Sequence, residues 1–250
     1  KISSAAIEER FNRKKNSTAF PEQSIKWCMS QAKIKWKELD LIVVPWNPAA
    51  NIQYASKRWL ENIRWRGETL TNIPASLMSL IDDKPPNEFE MKWSGNRLKF
   101  LNHHECHSAF SYYQSPFNKA TIVTIDGRGE EETLTISRAN NSKIDKLLSI
   151  NYPHSIGLSY SAFTDFFGFR VNADEWKVMS LASYSKKKNK YDTQIKKLIK
   201  KTTKGFELDL SYFSYYTFDK QKYMFSDKFI DLFGEPRLKD SKITKTHQEM

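Results

Sequence analysis

Cysteine and long apolar runs are both scarce in this chain, and each scarcity excludes a class of protein. Only Cys28 and Cys106 occur among 250 residues. Two cysteines cannot make a disulfide framework, so a reducing, cytoplasmic setting is expected. The longest apolar run of the first half, Leu41 to Trp46, falls far short of the roughly 20 residues a membrane helix needs, so no membrane partner is expected. Lys1-Ile2-Ser3-Ser4 leads into Glu8-Glu9-Arg10 instead of an apolar stretch, so no secretory leader is expected. An initiator Met is lacking, and a fragment or processed chain is expected. Internal repeats and long disordered linkers are absent as well.

What is present is the composition of a globular protein, 39% hydrophobic and 14% aromatic, with a formal charge of +11. Such a charge suits nucleic acid, acidic membranes or phosphorylated small molecules. The lysines, however, gather at Lys186-Lys187-Lys188-Asn189-Lys190 and from Lys196-Lys197 to Lys204. They read as solvated helix faces and loops, which disfavours a nucleic-acid partner.

Periodicity gives an α/β order. A strand is expected over residues 2–8, then a helix opened by Phe20-Pro21-Glu22 with Ile25, Cys28, Met29 and Ala32 on one face. A buried strand follows at 40–45, an aromatic basic helix at 53–65 and an irregular stretch at 66–95 broken by Pro85-Pro86. A short strand at 98–101 runs into a histidine-rich helix ending near Ser115-Pro116. A second buried strand is expected at 120–125. Strands at 133–137 and 146–150 complete a meander, and an apolar helix over 156–168 has Gly168 as its C-cap. The remainder reads as helical with one strand near 206–210. The order implies two α/β lobes, 1–118 and 119–250.

The segment Asn102-His103-His104-Glu105-Cys106-His107-Ser108 holds three of the five histidines. Positions four apart share a helix face, so His103 and His107 can direct two imidazoles at one divalent ion. His104 and Glu105 point elsewhere, and Cys106 reads as a small buried residue. Surface histidines on a helix are the plainer alternative.

Asp126-Gly127-Arg128-Gly129-Glu130 follows the apolar strand. A carboxylate at a strand end followed by glycines suits a phosphate–metal site, because backbone N–H groups can approach a phosphate. Asp-Gly is equally a hairpin signal.

These segments, with several others, resemble the O-carbamoyltransferases that include the nodulation-factor and tobramycin carbamoyltransferases. The others are Glu8-Glu9-Arg10-Phe11-Asn12-Arg13-Lys14 with Phe20-Pro21, and Pro153-His154-Ser155-Ile156-Gly157-Leu158 with Tyr160. Phe163-Thr164 with Phe167-Gly168-Phe169, Glu175-Trp176-Lys177-Val178-Met179 with Leu181-Ala182 and Tyr184, and Phe233-Gly234 with Arg237 continue the pattern. They come in the family's order across nearly the whole chain.

The resemblance implies a transferase domain of the two-lobed actin/sugar-kinase/chaperone-ATPase-like fold, here lacking its first strand and the end of its second lobe. It implies transfer of a carbamoyl group from carbamoyl-adenylate to a hydroxyl of a small-molecule acceptor. A C-terminal adenylation domain would make the adenylate from carbamoyl phosphate and ATP with Mg2+. His103, His107 and Asp126 are implied as ligands of a divalent metal, Fe2+ first and Zn2+ as the alternative. Gly127, Arg128, Gly129, Arg10, Arg13, Lys14, Glu175 and Lys177 are candidates for nucleotide or phosphate contacts. The family's catalytic His would precede Lys1, and His154 is a candidate base whose plainer role is structural. The family's Gly-Glu-x-Lys-x-Met-Gly-Leu-Ala-x-Tyr-Gly reads Asp174-Glu175-Trp176-Lys177-Val178-Met179-Ser180-Leu181-Ala182-Ser183-Tyr184-Ser185. The lost glycines would restrict the backbone at a nucleotide site, and these residues alone are expected to be inactive. A tRNA threonylcarbamoyl transferase-like protein and a non-catalytic scaffold on the same fold are the alternative readings. The tRNA enzymes carry Ser-Gly-Gly-His-Thr where this chain has Asp126-Gly127-Arg128-Gly129.

Overall fold

Alternation of side chains along residues 119–151 builds the sheet that carries the site. In the computed structural model, which describes residues 2–15, 17, 21–47, 98–185, 191–217 and 222–250, the chain forms mixed α/β structure in two units. One holds the described residues up to Asn47 together with 98–101, and the other holds those from Asn102 onward.

In the first unit, α1 (Glu9–Asn12) precedes α2 (Glu22–Ala32), which ends on Lys33 in the left-handed conformation. The short strands β1 (Ile42–Val44) and β2 (Leu98–Phe100) pair in parallel. Residues 2–7, expected as a strand, carry no regular structure. A strand needs a ladder partner, and among the described residues none pairs with this segment. The segment is tied down by Glu8 instead. Its buried carboxylate accepts the N–H of Gln23 and both the N–H and hydroxyl of Ser24, supplying α2 with a cap from outside its own sequence. The strand expected to be buried at 40–45 is half exposed, with Leu41 and Val43 open to solvent. Its sheet has two strands among the described residues and covers only part of them. The helix expected at 53–65 and the irregular stretch at 66–95 lie outside the described residues.

In the second unit, α3 (His103–Tyr113) packs on an antiparallel meander of β3 (Lys119–Ile125), β4 (Glu132–Asn140) and β5 (Lys143–Asn151). Among the described residues β3 is an edge strand, and its burial alternates so that one face is covered. Ile122 and Thr124 are buried while Val123 and Ile125 are exposed, so the expectation of a fully buried strand is corrected. Tyr112, Ile122 and Ala139 make the small core under α3. The larger core lies between α4 (Ile156–Phe166) and α7 (Asp227–Phe233), around Phe166, Phe225 and Phe229. Gly168, at φ +66, ends α4 as expected.

Beyond it come α5 (Glu175–Ala182), α6 (Asp192–Leu198), the hairpin β6 (Ile199–Thr202) and β7 (Gly205–Leu208), then α7 and α8 (Lys245–Glu249). The single strand expected at 206–210 is the second arm of this hairpin and stops at Leu208. Asp174, Ser180 and Ser185, which replace family glycines, are not among the positive-φ residues, so their side chains bring no backbone strain.

Candidate metal centre

The register of α3 sorts its side chains. His104, Ser108 and Tyr112, four apart, are buried against the sheet. His103 and His107 fall about 100° to one side and leave the sheet. Their Nε2 atoms lie 3.0 Å apart and rings 4.4 Å apart. Asp126, just after β3, completes the group: its Oδ2 lies 2.6 Å from His103 Nε2 and 3.3 Å from His107 Nε2. Among the described residues these three form the group of potential metal donors, with ligand atoms all within 4.8 Å of one another.

Asp126 is held to this task by its backbone surroundings. Its N–H donates to Thr133 O, and its Oδ1 accepts the Arg128 N–H at 3.0 Å, which leaves Oδ2 for the imidazoles. Burial opposes the charged carboxylate. The Arg128 N–H and the two imidazoles outweigh it and hold the acid below the ordinary carboxylate range. Expected as a metal site or as a hairpin turn, the segment is a loop between two paired strands that also presents a carboxylate.

The other side of α3 faces the sheet. His104 Nδ1 meets Thr124 Oγ1 at 2.6 Å, and Thr124 meets Thr135 at 2.7 Å. Burial pushes the His104 imidazole toward its neutral form. Cys106 is half-buried, and burial raises its thiol, followed by the charges of Glu105 and Glu130.

The remaining candidates divide. Asp126, Gly127, Arg128 and Glu175 line one open cleft of ≈ 630 Å³ together with Gly157, Tyr160, Ser161 and Asn172. Arg128 places its guanidinium 4.5 Å over the Tyr152 ring, so its backbone serves the site. Glu175 Oε1 accepts Ser161 Oγ–H and the Asn172 N–H. Lys177 lies outside the cleft lining and pairs with Asp174 at 3.2 Å. Gly129 packs against α3; a Cβ there would meet His104 Cδ2 at 2.8 Å. Arg10, Arg13 and Lys14 are exposed in the other unit. His154 Nδ1 accepts the Leu208 N–H at 3.0 Å, and burial lowers its basicity, so its ring holds β7 in place.

Three residues that build the site lie in stretches that carry the family resemblance but receive no site role from sequence. Gly157 lets α4 approach the loop, since a Cβ would stand 2.6 Å from the Asp126 carbonyl oxygen. Ser155 caps α4 by accepting the Leu158 N–H and donates its hydroxyl to Gly127 O at 2.7 Å. Glu130 accepts the His103 N–H. Ser155, a hydroxyl residue just before a helix, carries a readable N-cap signal; Glu130 acts across 27 residues and carries none.

Residues 2–250 match the family model described as the carbamoyltransferase N-terminus. An uncharacterized protein of Synechocystis sp. is 35% identical over 94% of this chain and 39% of its own length. The nodulation protein NolNO of Sinorhizobium fredii is 27% identical over 73% of this chain and 26% of its own length. An uncharacterized protein of Methanocaldococcus jannaschii is 29% identical over 72% of this chain and 29% of its own. The chain thus spans well under half the length of these relatives.

Proposed function

This chain belongs to the carbamoyltransferase family, and we propose that it is the first part of an actin-like transferase domain that moves a carbamoyl group from carbamoyl-adenylate to a hydroxyl of a small molecule. The observation that carries the reading is the convergence of His103 Nε2, His107 Nε2 and Asp126 Oδ2, separated by 2.6–3.3 Å. Neighbouring donors around an ion with bonds of about 2.1 Å stand roughly 3 Å apart, so the donor set fits a divalent metal. Two imidazoles and one carboxylate suit Fe2+, with Zn2+ as the alternative. When bound, the ion supplies Lewis acidity toward phosphate and carbonyl oxygens of the donor.

The protein's own residues orient and hold. Asp126 spends Oδ1 on the Arg128 N–H and keeps Oδ2 for the ion. The cleft that begins at Asp126 and runs to Glu175 receives the adenylate, with the Gly127 backbone toward its phosphate; the Arg128 and Gly129 N–H groups are taken by Asp126 Oδ1 and Glu132 O. Arg10, Arg13, Lys14 and Lys177 are assigned as further phosphate contacts on the family resemblance alone. The base that deprotonates the acceptor is the catalytic His that the family resemblance implies, and His154, whose Nδ1 accepts the Leu208 N–H, keeps a structural role. Carbamoyl phosphate, ATP with Mg2+ and an adenylation domain complete the reaction as partners.

Asp126→Asn in the intact protein tests the reading. The change is nearly isosteric and Asn-Gly turns as well as Asp-Gly, so the melting temperature is expected to hold. Metal affinity and carbamoyl transfer fall together, with transfer recovered at high metal concentration. Full activity at ordinary metal concentration would reduce Asp126 to a loop residue.

A further inference from the structure

We propose that Glu130 is a positioning residue of the metal centre, fixing His103 by its backbone while Asp126 takes its imidazole; this rests on the metal reading above. The Glu130 side chain is buried, the residue being 4% exposed. Its two carboxylate oxygens lie 3.0 and 3.2 Å from the His103 nitrogen. The first turn of a helix presents N–H groups with no partner inside the helix, and a carboxylate is the strongest acceptor for them. Asn102, at the N-cap position, makes no capping bond and donates its side-chain amide to Glu105.

Asp126 and Glu130 belong to one loop. Arg128 ties that loop together, giving its N–H to Asp126 Oδ1 and a guanidinium N–H to Glu130 O at 3.4 Å. Gly129 lets the loop lie against the first turn, where a Cβ would also crowd His103 Cβ at 3.3 Å. One loop therefore grips His103 at both ends, and the rotation of α3 that aims His103 and His107 is set by the same segment that supplies the carboxylate. Without Glu130 the first turn loses its cap, and the two imidazoles lose their common direction.

Co2+ titration of the intact protein carrying Glu130→Ala or Glu130→Gln tests this, following both affinity and the visible absorption of the bound ion. The Ala variant is expected to bind Co2+ about 10–100-fold more weakly, with shifted bands. Gln, which keeps an acceptor oxygen, restores most of both. An Ala variant with wild-type affinity and spectrum overturns the proposal, even if its melting temperature falls, because Glu130 is then a structural cap alone. Should the Ala variant fail to fold, Glu130→Asp decides. Its shorter side chain is expected to weaken binding while Gln does not, and wild-type behaviour of both overturns the proposal. Wild-type protein that takes up no Co2+ contradicts the metal reading itself and removes this proposal with it, an outcome distinct from the others.

Discussion

The two faces of α3 use the same residue type for opposite ends. On the outer face, His103 and His107 turn their Nε2 atoms toward each other and toward Asp126, with side-chain exposures of 25% and 50%. On the inner face His104 is 1% exposed and spends its Nδ1 on Thr124. His154 behaves like His104, its ring engaged by a backbone N–H of β7. A histidine whose nitrogen is committed to the protein interior holds structure. A pair converging with a carboxylate on one point, half-exposed, has the geometry to hold an ion.

The largest effect expected from breaking this contrast is on the outer face. His103→Ala removes one donor from a small donor set and also the ring that Asp126 faces at 2.6 Å. Divalent-ion affinity is expected to fall by at least about 100-fold, read by Co2+ titration, with the melting temperature of the metal-free protein little changed.

The inner face answers differently. His104→Ala opens a cavity under α3 and strips Thr124 of a partner, so a loss of about 2 kcal/mol or more is expected in chemical denaturation. Its metal affinity stays near wild type, since the ligands keep their places through Glu130 and Asp126.

Legibility follows the same divide. The spacing of His103 and His107 is local, and helical periodicity alone put both on one face. The third donor had two readings in sequence, because a carboxylate before Gly serves a loop and a metal equally well. Glu130 was legible only as part of the Asp-Gly segment and its role was not, for its partner is a backbone N–H on another element. The same limit hid β6: Ile199-Lys200-Lys201-Thr202 continues a lysine-rich helix in sequence. It becomes a strand because Gly205, at φ +125, turns the chain back to pair with it. Edge exposure of β3 was hidden as well, since an apolar run does not tell how many faces are covered.

A smaller and pH-dependent effect separates His154 from the outer pair. Burial lowers the basicity of its imidazole in the folded state. The unfolded chain therefore takes up the proton first, and stability is lost as pH falls below the ordinary histidine value of about 6.5. The stability difference between wild type and His154→Asn is accordingly expected to be largest at neutral pH and to shrink as the solution is acidified, followed by denaturation at several pH values. A difference that stays constant with pH would place His154 outside this set of buried rings.

The contrast itself is tested by metal content. The intact protein, His107→Ala and His104→Ala are prepared in parallel, loaded with a divalent ion, freed of excess and analysed for metal per chain. Roughly one ion is expected on wild type and on His104→Ala, and essentially none on His107→Ala. Retention of the ion by His107→Ala, or its loss from a folded His104→Ala, would contradict the assignment of the outer face.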